Sequence, residues 1–224
     1  MSQKVFAEVI GHSFVRRLRE FCVVNNIPNL GLLQSMHQVT FSHRTANGAL
    51  SYIKDVDRFA DNYGQGSVAD LVVLVSGSND LQEEELSPEY LAGELSRTAH
   101  KFLKAGASHV VILQAMPRTG YGRYGAAQAF YEYPTWEDMC MEEGISQEKA
   151  GRFNRTLEEI CASESRVHTV RSRGLIAGWQ AHIDDGVHLT NRLDGEEKFL
   201  VLVRGIVIHY SNIIRNAYGD MNLN

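Results

Sequence analysis

The chain has 224 residues, a net charge of −5 at pH 7 and a pI near 6.0. Hydrophobic residues make up 44% and charged residues 22%, which is the composition of an ordinary globular protein. The acidic balance excludes the broad basic surface of a nucleic-acid-binding domain. No run of about 18 apolar residues predicts a transmembrane helix. We therefore expect a single domain over residues 1–224, with no nucleic-acid partner.

The cysteines are odd in number and widely spaced, which predicts neither a disulfide framework nor a zinc site. They are Cys22, Cys140 and Cys161. The first residues lead into a short apolar run without the pattern of a signal peptide. These features favour a reduced, cytoplasmic location. The sequon at Asn154 is accordingly interpreted as an ordinary helical sequence and not as a glycosylation site.

Five short apolar runs recur along the chain, and their length and Val/Ile content are typical of strands buried on both faces. The predicted strands are Val5–Ile10, Gln38–Phe41, Asp70–Val75, His109–Ala115 and Val167–Val170.

Helical periodicity lies between these runs. From Phe14 onward, apolar residues recur at i, i+4 and i+7 after the first run. Ser87 and Pro88 have the residue types of an N-cap and a first helical position, and the helix they open is predicted to end near Gly106. A further apolar stripe over 150–161 predicts a helix before the last strand.

The last predicted helix has a competing interpretation. Asp194 and Glu197 resemble a capping box, and apolar periodicity continues from there to Ile214. The segment 200–208 alone would also suit a strand, and Gly205 costs a helix about 1 kcal/mol relative to alanine. We favour the helix because the 3.6-residue period extends beyond that segment.

Alternation of strands and helices predicts an α/β fold. The expected architecture is a three-layer α/β/α, doubly wound, flavodoxin-like parallel sheet of five strands in the order 2-1-3-4-5. Ser13 follows the first strand and Asn79 follows the third, and in this order those two strands are neighbours. We therefore expect both residues at the carboxyl edge of the sheet, where such folds bind ligands.

A serine nucleophile with a histidine base is the chemistry that the sequence favours. Ser13 lies in Gly11-His12-Ser13-Phe14, at the predicted strand-to-helix junction. Serine becomes an effective nucleophile only when a base removes its proton. The segment Asp185-Gly186-Val187-His188 supplies an imidazole at His188 and a carboxylate at Asp185 to orient it.

The negatively charged tetrahedral intermediate of such a reaction needs hydrogen-bond donors. Free N–H groups at the start of the first helix, including that of Ser13, carry the positive end of the helix dipole. The side chain of Asn79 and the backbone N–H of Gly48 are the other candidate donors. Taken singly, Ser13 would be an N-cap and Asn79 part of a turn, so the catalytic interpretation depends on the set.

The motifs resemble the blocks of the GDSL/SGNH hydrolase family, which centre on a Ser, a Gly, an Asn and a His. The first block reads Gly11-His12-Ser13-Phe14, the third Gly77-Ser78-Asn79-Asp80 and the last Asp185-Gly186-Val187-His188, and Gly48 is assigned to the second. The resemblance implies an SGNH hydrolase fold and a serine esterase. It also implies a small-molecule substrate, a small acyl or acetyl ester, cleaved without a metal or organic cofactor.

The resemblance assigns a role to each matched position. By it, Ser13 is the nucleophile, Gly48 and Asn79 are oxyanion donors, and His188 with Asp185 is the base pair. The family usually has Asp at the position of His12 and Leu at that of Phe14. The opening Gly-His-Ser-Phe-Val-Arg-Arg-Leu also resembles hydrolase-like domains of animal mobile elements. A catalytically silent SGNH-like binding domain is therefore the alternative function.

The segment Pro117–Gly144 is long for a connection and rich in aromatic residues. Arg118, Tyr121 and Arg123 within it are candidate substrate contacts. Gly120–Gly125 matches the G-x-G-x-x-G pattern, but a proline interrupts the exit from the preceding strand, whereas a dinucleotide fingerprint follows its strand directly. A flavodoxin-like nucleotide-binding module is the second and weaker alternative.

Overall fold

The computed structural model describes residues 3–43, 52–61, 63, 69–83, 85–117, 145–171 and 195–221. Five strands in these ranges form one parallel sheet in the order β2-β1-β3-β4-β5, as predicted. The strands are β1 Val5–Gly11, β2 His37–His43, β3 Leu71–Val75, β4 His109–Leu113 and β5 Val167–Val170. The helices are α1 Ser13–Val24, α2 Tyr52–Asp61, α3 Pro88–Lys104, α4 Gln147–Cys161 and α5 Gly195–Met221.

The sheet is buried between two layers of helices. On one face, β3 residues such as Val73 join a core that includes α1 and α5. On the other face, Leu74 joins a core that includes α2, α3 and α4. All five residues of β3 are buried, because the central strand is covered on both sides. This is the predicted three-layer α/β/α architecture.

The predicted strands exist, and five of their boundaries, in four strands, shift by one or two residues. β1 and β2 are longer than their apolar runs because pairing continues to Gly11 and His43 at the carboxyl edge. Asp70, predicted as the first residue of β3, lies outside the strand. Its carboxylate accepts the N–H of Phe6 at 2.9 Å and its carbonyl accepts the N–H of Ser108 at 2.9 Å, so it joins strand ends instead of extending the ladder.

The final segment is a helix and not a strand. α5 runs unbroken over Gly195–Met221, and its buried residues include Val203, Val207 and Tyr210. A side chain at Gly205 would meet open space, so the glycine sits on the outer surface of the helix. Asp194, the predicted cap, lies outside the described residues.

The carboxamide of Asn154 joins α4 to the end of β4. It is buried, donates to the carbonyl of Ala115 and accepts the N–H of the same residue, both at 2.9 Å. A buried amide with both ends engaged is unavailable for glycosylation, which agrees with the helical interpretation of this sequon.

Two of the three cysteines, Cys22 and Cys161, are buried free thiols, and burial raises the pKa of each. Cys140 lies outside the described residues. Among the helices of the described ranges, none combines the length and the apolar character needed to cross a bilayer.

A pair of histidines, one on β4 and one on the edge strand β5, lies against α5. His109 Nδ1 and His168 Nε2 lie 3.0 Å apart, and the ring centroids of Tyr210 and His168 lie 4.6 Å apart in a tilted arrangement. Burial lowers the pKa of both imidazoles; the charge of Arg166 adds to this effect at His109, and the charges of His109 and His209 add to it at His168.

We predict that this pair makes the protein less stable in mild acid. With folded-state pKa values below the ordinary 6.5, the unfolded chain takes up protons first as the pH falls. The contribution of the neutral pair to the free energy of unfolding is complete above pH 6.5 and is lost as the pH falls through the folded-state pKa values. The free energy of unfolding falls by at most about 1.4 kcal/mol per pH unit for each imidazole.

Urea unfolding at about pH 7.5 and about pH 5 measures this effect. The His109→Gln/His168→Gln double variant should lose less stability between the two conditions than the wild type. A residual slope is expected in both, because the pKa of His37 is lowered as well, first by burial and then by the charge of Arg215. Equal slopes in the two proteins would contradict the prediction.

Candidate active site

Ser13 lies at the junction between β1 and α1, as the sequence predicts. It is the first residue of α1, it is partly exposed, and its side chain follows directly after the carboxyl end of β1. The first-turn N–H groups of a helix point out of its N-terminus and carry its positive dipole end. Ser13 therefore combines a hydroxyl group with a local field that favours negative charge.

Gly11 makes this junction possible. A Cβ atom at Gly11 would lie 2.3 Å from the carbonyl oxygen of Val75 and 2.8 Å from a methyl carbon of Val15. Such contacts are far inside van der Waals distance, so only glycine lets β1 approach β3 this closely while α1 begins two residues later.

Asn79 lies just beyond the carboxyl end of β3, the strand beside β1. Asn79 is 4% exposed and directly precedes a short 3₁₀ turn over Asp80–Gln82. Gly77 starts this turn with a φ of +100°, and a Cβ atom there would lie 2.9 Å from the ring of Phe153. The Gly-x-Asn spacing thus has a local cause, because a left-handed glycine redirects the chain before the asparagine.

Asp80 connects this turn to α2. The residue is 5% exposed, and its Oδ1 atom accepts the backbone N–H of Ile53 at 3.3 Å. A carboxylate at the first turn of a helix satisfies an amide and interacts favourably with the helix dipole. Asp80 therefore fixes the start of α2 beside the Asn79 turn, although the sequence alone did not assign it a role.

A pocket opens at the carboxyl edge between β3 and β4. It encloses about 340 Å³, including its open mouth. Its walls are formed by Phe14, Val75, Ser76, Ser78, Leu113, Gln114, Met116 and Phe199. Because Phe14 and Ser78 are the immediate neighbours of Ser13 and Asn79, the pocket lies next to both predicted residues.

Gln114 forms the polar wall of this pocket and is held on two sides. Its Nε2 atom donates to the carboxylate of Glu158, and its Oε1 atom accepts the Nε–H of Arg171 at 3.3 Å. Gln114 is 4% exposed, so these bonds satisfy a buried amide and keep its orientation fixed.

The remaining predicted site residues lie outside the described residues. These are Gly48, the base pair His188 and Asp185, and the candidate substrate contacts Arg118, Tyr121 and Arg123. The structure thus brings Ser13 and Asn79 to one edge of the sheet. The catalytic role of every predicted site residue, these two included, stays a prediction. Within the described ranges, no group of three or more His, Cys, Asp or Glu side chains is arranged to hold a metal ion.

The protein is similar in structure to several solved proteins over most of its length. An aryl esterase from M. smegmatis has a TM-score of 0.58 and 14% identity, covering 91% of this chain and 98% of that one. A carbohydrate acetylesterase family member from Sinorhizobium meliloti has a TM-score of 0.57 and 14% identity, covering 97% and 100%. TesA has a TM-score of 0.52 and 16% identity, covering 90% and 97%. The fold is that of the SGNH hydrolases.

At the sequence level, no family model and no curated protein matches the chain. The likeness to SGNH hydrolases therefore concerns the fold, and the chemistry of this chain has to be argued from its own residues. Two such residues were missed as site components by sequence reasoning, Asp80 and Gln114. Asp80 stands in the Asn79 motif and could have been suspected there, whereas Gln114 is recognisable only from the pocket.

Proposed function

We propose that the protein is a serine esterase that cleaves small acyl or acetyl esters through an acyl-Ser13 intermediate. The observation that carries this proposal is Ser13 itself, a partly exposed residue on the first turn of α1 at the carboxyl edge of an SGNH-type sheet. Asn79, just beyond the end of the adjacent strand β3, and the pocket beside both residues support it.

In the proposed acylation step, Ser13 Oγ attacks the ester carbonyl carbon while His188 takes the hydroxyl proton. The carbonyl oxygen becomes an oxyanion, which the Ser13 and Gly48 N–H groups and the Asn79 amide would stabilise. Donors of this kind are most effective when they are oriented before the charge develops. Collapse breaks the bond to the alcohol oxygen, which receives the proton from His188. Water then repeats the sequence on the acyl-serine and releases the acid.

The described residues on either side of the segment 172–194, which contains His188, support the assignment of His188 as the base. The chain leaves β5 at Arg171, whose guanidinium contacts the pocket residue Gln114. It re-enters the described structure at Gly195, seven residues after His188, and the ring of Phe199 packs 5.9 Å from that of Phe14. Arg171 and Phe199, which flank the segment, thus lie at the pocket beside Ser13.

The pocket also favours a small acyl group over a long one. Its apolar walls, among them Leu113 and Phe199, suit a methyl or short alkyl chain, and its total space is about 340 Å³ even with the open mouth included.

Labelling with a fluorophosphonate tests the proposal directly. We expect one adduct, formed as Ser13 Oγ displaces fluoride from phosphorus. Trypsin then releases the peptide 5–16, in which Ser13 is the sole hydroxyl-bearing residue, so the mass of that peptide assigns the site without ambiguity. Heat-unfolded protein is the control for nonspecific reaction. A folded protein that remains unlabelled would contradict the proposal and favour the silent binding domain.

A further inference from the structure

The hydroxyl of Ser13 lies next to the imidazole of its neighbour in sequence. His12 Nδ1 and Ser13 Oγ are 3.3 Å apart. This is longer than an ideal bond to a hydroxyl group, but catalytic hydrogen bonds are often loose before substrate binds. The contact sits at the atom that the proposed mechanism uses as nucleophile.

His12 is held firmly in this position. It is the N-cap residue of α1, and its carbonyl accepts the N–H of Val15 at 3.0 Å and of Arg16 at 3.1 Å. Its side chain is buried, with the residue 3% exposed, and the ring lies 6.0 Å from that of Phe14. Backbone bonds and packing thus fix the imidazole beside Ser13, whereas an exposed histidine would rotate freely.

An imidazole in this place differs chemically from the carboxylate usual at this motif position. A carboxylate would add a negative charge next to the forming oxyanion. A neutral imidazole adds none, and its ring nitrogen that carries no hydrogen can accept a proton. The substitution therefore places a second potential base at the nucleophile.

We propose that His12 is a second proton acceptor for Ser13, beside His188, an inference that rests on the proposed esterase function. In this second route, the proton of Oγ passes to His12 Nδ1 instead of His188 as Oγ bonds to the ester carbonyl carbon. When the tetrahedral intermediate collapses, the carbon–oxygen bond to the alcohol breaks and the proton moves from Nδ1 to the alcohol oxygen. Water donates its proton to the same nitrogen during hydrolysis of the acyl-serine, and Ser13 Oγ recovers it.

Residual activity without His188 is the decisive measurement. The His188→Ala variant should hydrolyse p-nitrophenyl acetate at least about tenfold faster than Ser13→Ala, since a general base contributes about 10²–10⁴ in rate. His12→Asn preserves a polar atom near the Nδ1 position but cannot accept the proton. Adding it to His188→Ala should lower the rate to that of Ser13→Ala. His12→Gln is the second variant if His12→Asn unfolds.

The outcomes separate this inference from the esterase proposal. If the wild type is no faster than Ser13→Ala, both fail. If the wild type is active but His188→Ala is as slow as Ser13→Ala, or the second substitution causes no further loss, only the role of His12 is overturned. Nitrogen NMR of the histidine rings provides a readout besides activity: Ser13→Ala should shift the His12 Nδ1 resonance, and an unchanged resonance would also overturn the inference.

Discussion

Replacing Ser13 with alanine should lower kcat for p-nitrophenyl acetate by at least about a thousandfold while the fold is retained. The substitution removes the one atom that forms the acyl bond, so no other side chain can compensate at the same step. Since Ser13 is partly exposed at the start of α1 and its neighbour His12 is the N-cap, the loss of the hydroxyl should cost little stability. Steady-state hydrolysis and thermal unfolding of both proteins measure the two effects.

Ser163→Ala is a matched control for this measurement. Ser163 is exposed after the end of α4, on the amino side of the sheet, and its hydroxyl donates to the carbonyl of Ile160. Its removal should leave the rate unchanged. Equal rates in wild type and Ser13→Ala would mean that turnover does not pass through an acyl-Ser13 intermediate, and the proposed function would be wrong.

The architecture could be predicted because local signals were consistent with one another. β3 reads as an unbroken apolar run and is fully buried, and Ser87 caps α3 as expected by accepting the N–H of Tyr90 at 3.1 Å. Alternating strands and helices then restrict the topology, because parallel strands need crossover connections. The strand order followed from this pattern without any tertiary information.

What the sequence could not provide depends on contacts between distant segments. The first residue of β3 is not the predicted Asp70, because the Asp70 carboxylate accepts a hydrogen bond from the backbone N–H of Phe6 in β1, 64 residues away. His109 and His168 come into contact because of the register in which β4 pairs with β5, and no local sequence pattern reveals that register. Likewise, Asp80 gains its role from the N–H of Ile53, which lies 27 residues earlier.

For the candidate site, the sequence correctly predicted that Ser13 and Asn79 lie at the carboxyl edge of the sheet, but it did not predict the surroundings of Ser13. Ser13 and Asn79 follow neighbouring strands as expected. The N-cap of α1 is His12 and not Ser13, so the serine hydroxyl is not used as the helix cap. Residue spacing could flag His12 as a departure from the motif, but only the folded backbone shows its ring nitrogen beside Ser13 Oγ.

Asn79→Ala tests the oxyanion side of the mechanism, and we expect it to lower kcat by about 10²–10³ with little change in KM. Removing one preorganised donor typically costs about 3–4 kcal/mol of transition-state stabilisation, and a group that acts on the oxyanion contributes mainly after the substrate is bound. Asn79→Asp should be at least as slow, because it replaces a donor by a negative charge of nearly the same shape.

Because Asn79 is buried in the turn after β3, a loss of activity must be separated from a loss of structure. Asn212→Ala, at an exposed residue of α5 whose amide oxygen accepts from Arg215, is the control for an asparagine outside the site. Activity should be compared well below the thermal unfolding midpoint of each variant. If Asn79→Ala keeps its wild-type kcat while folded, the amide does not bind the oxyanion, and stabilisation of the intermediate would have to come from the backbone N–H groups at the start of α1 and at Gly48.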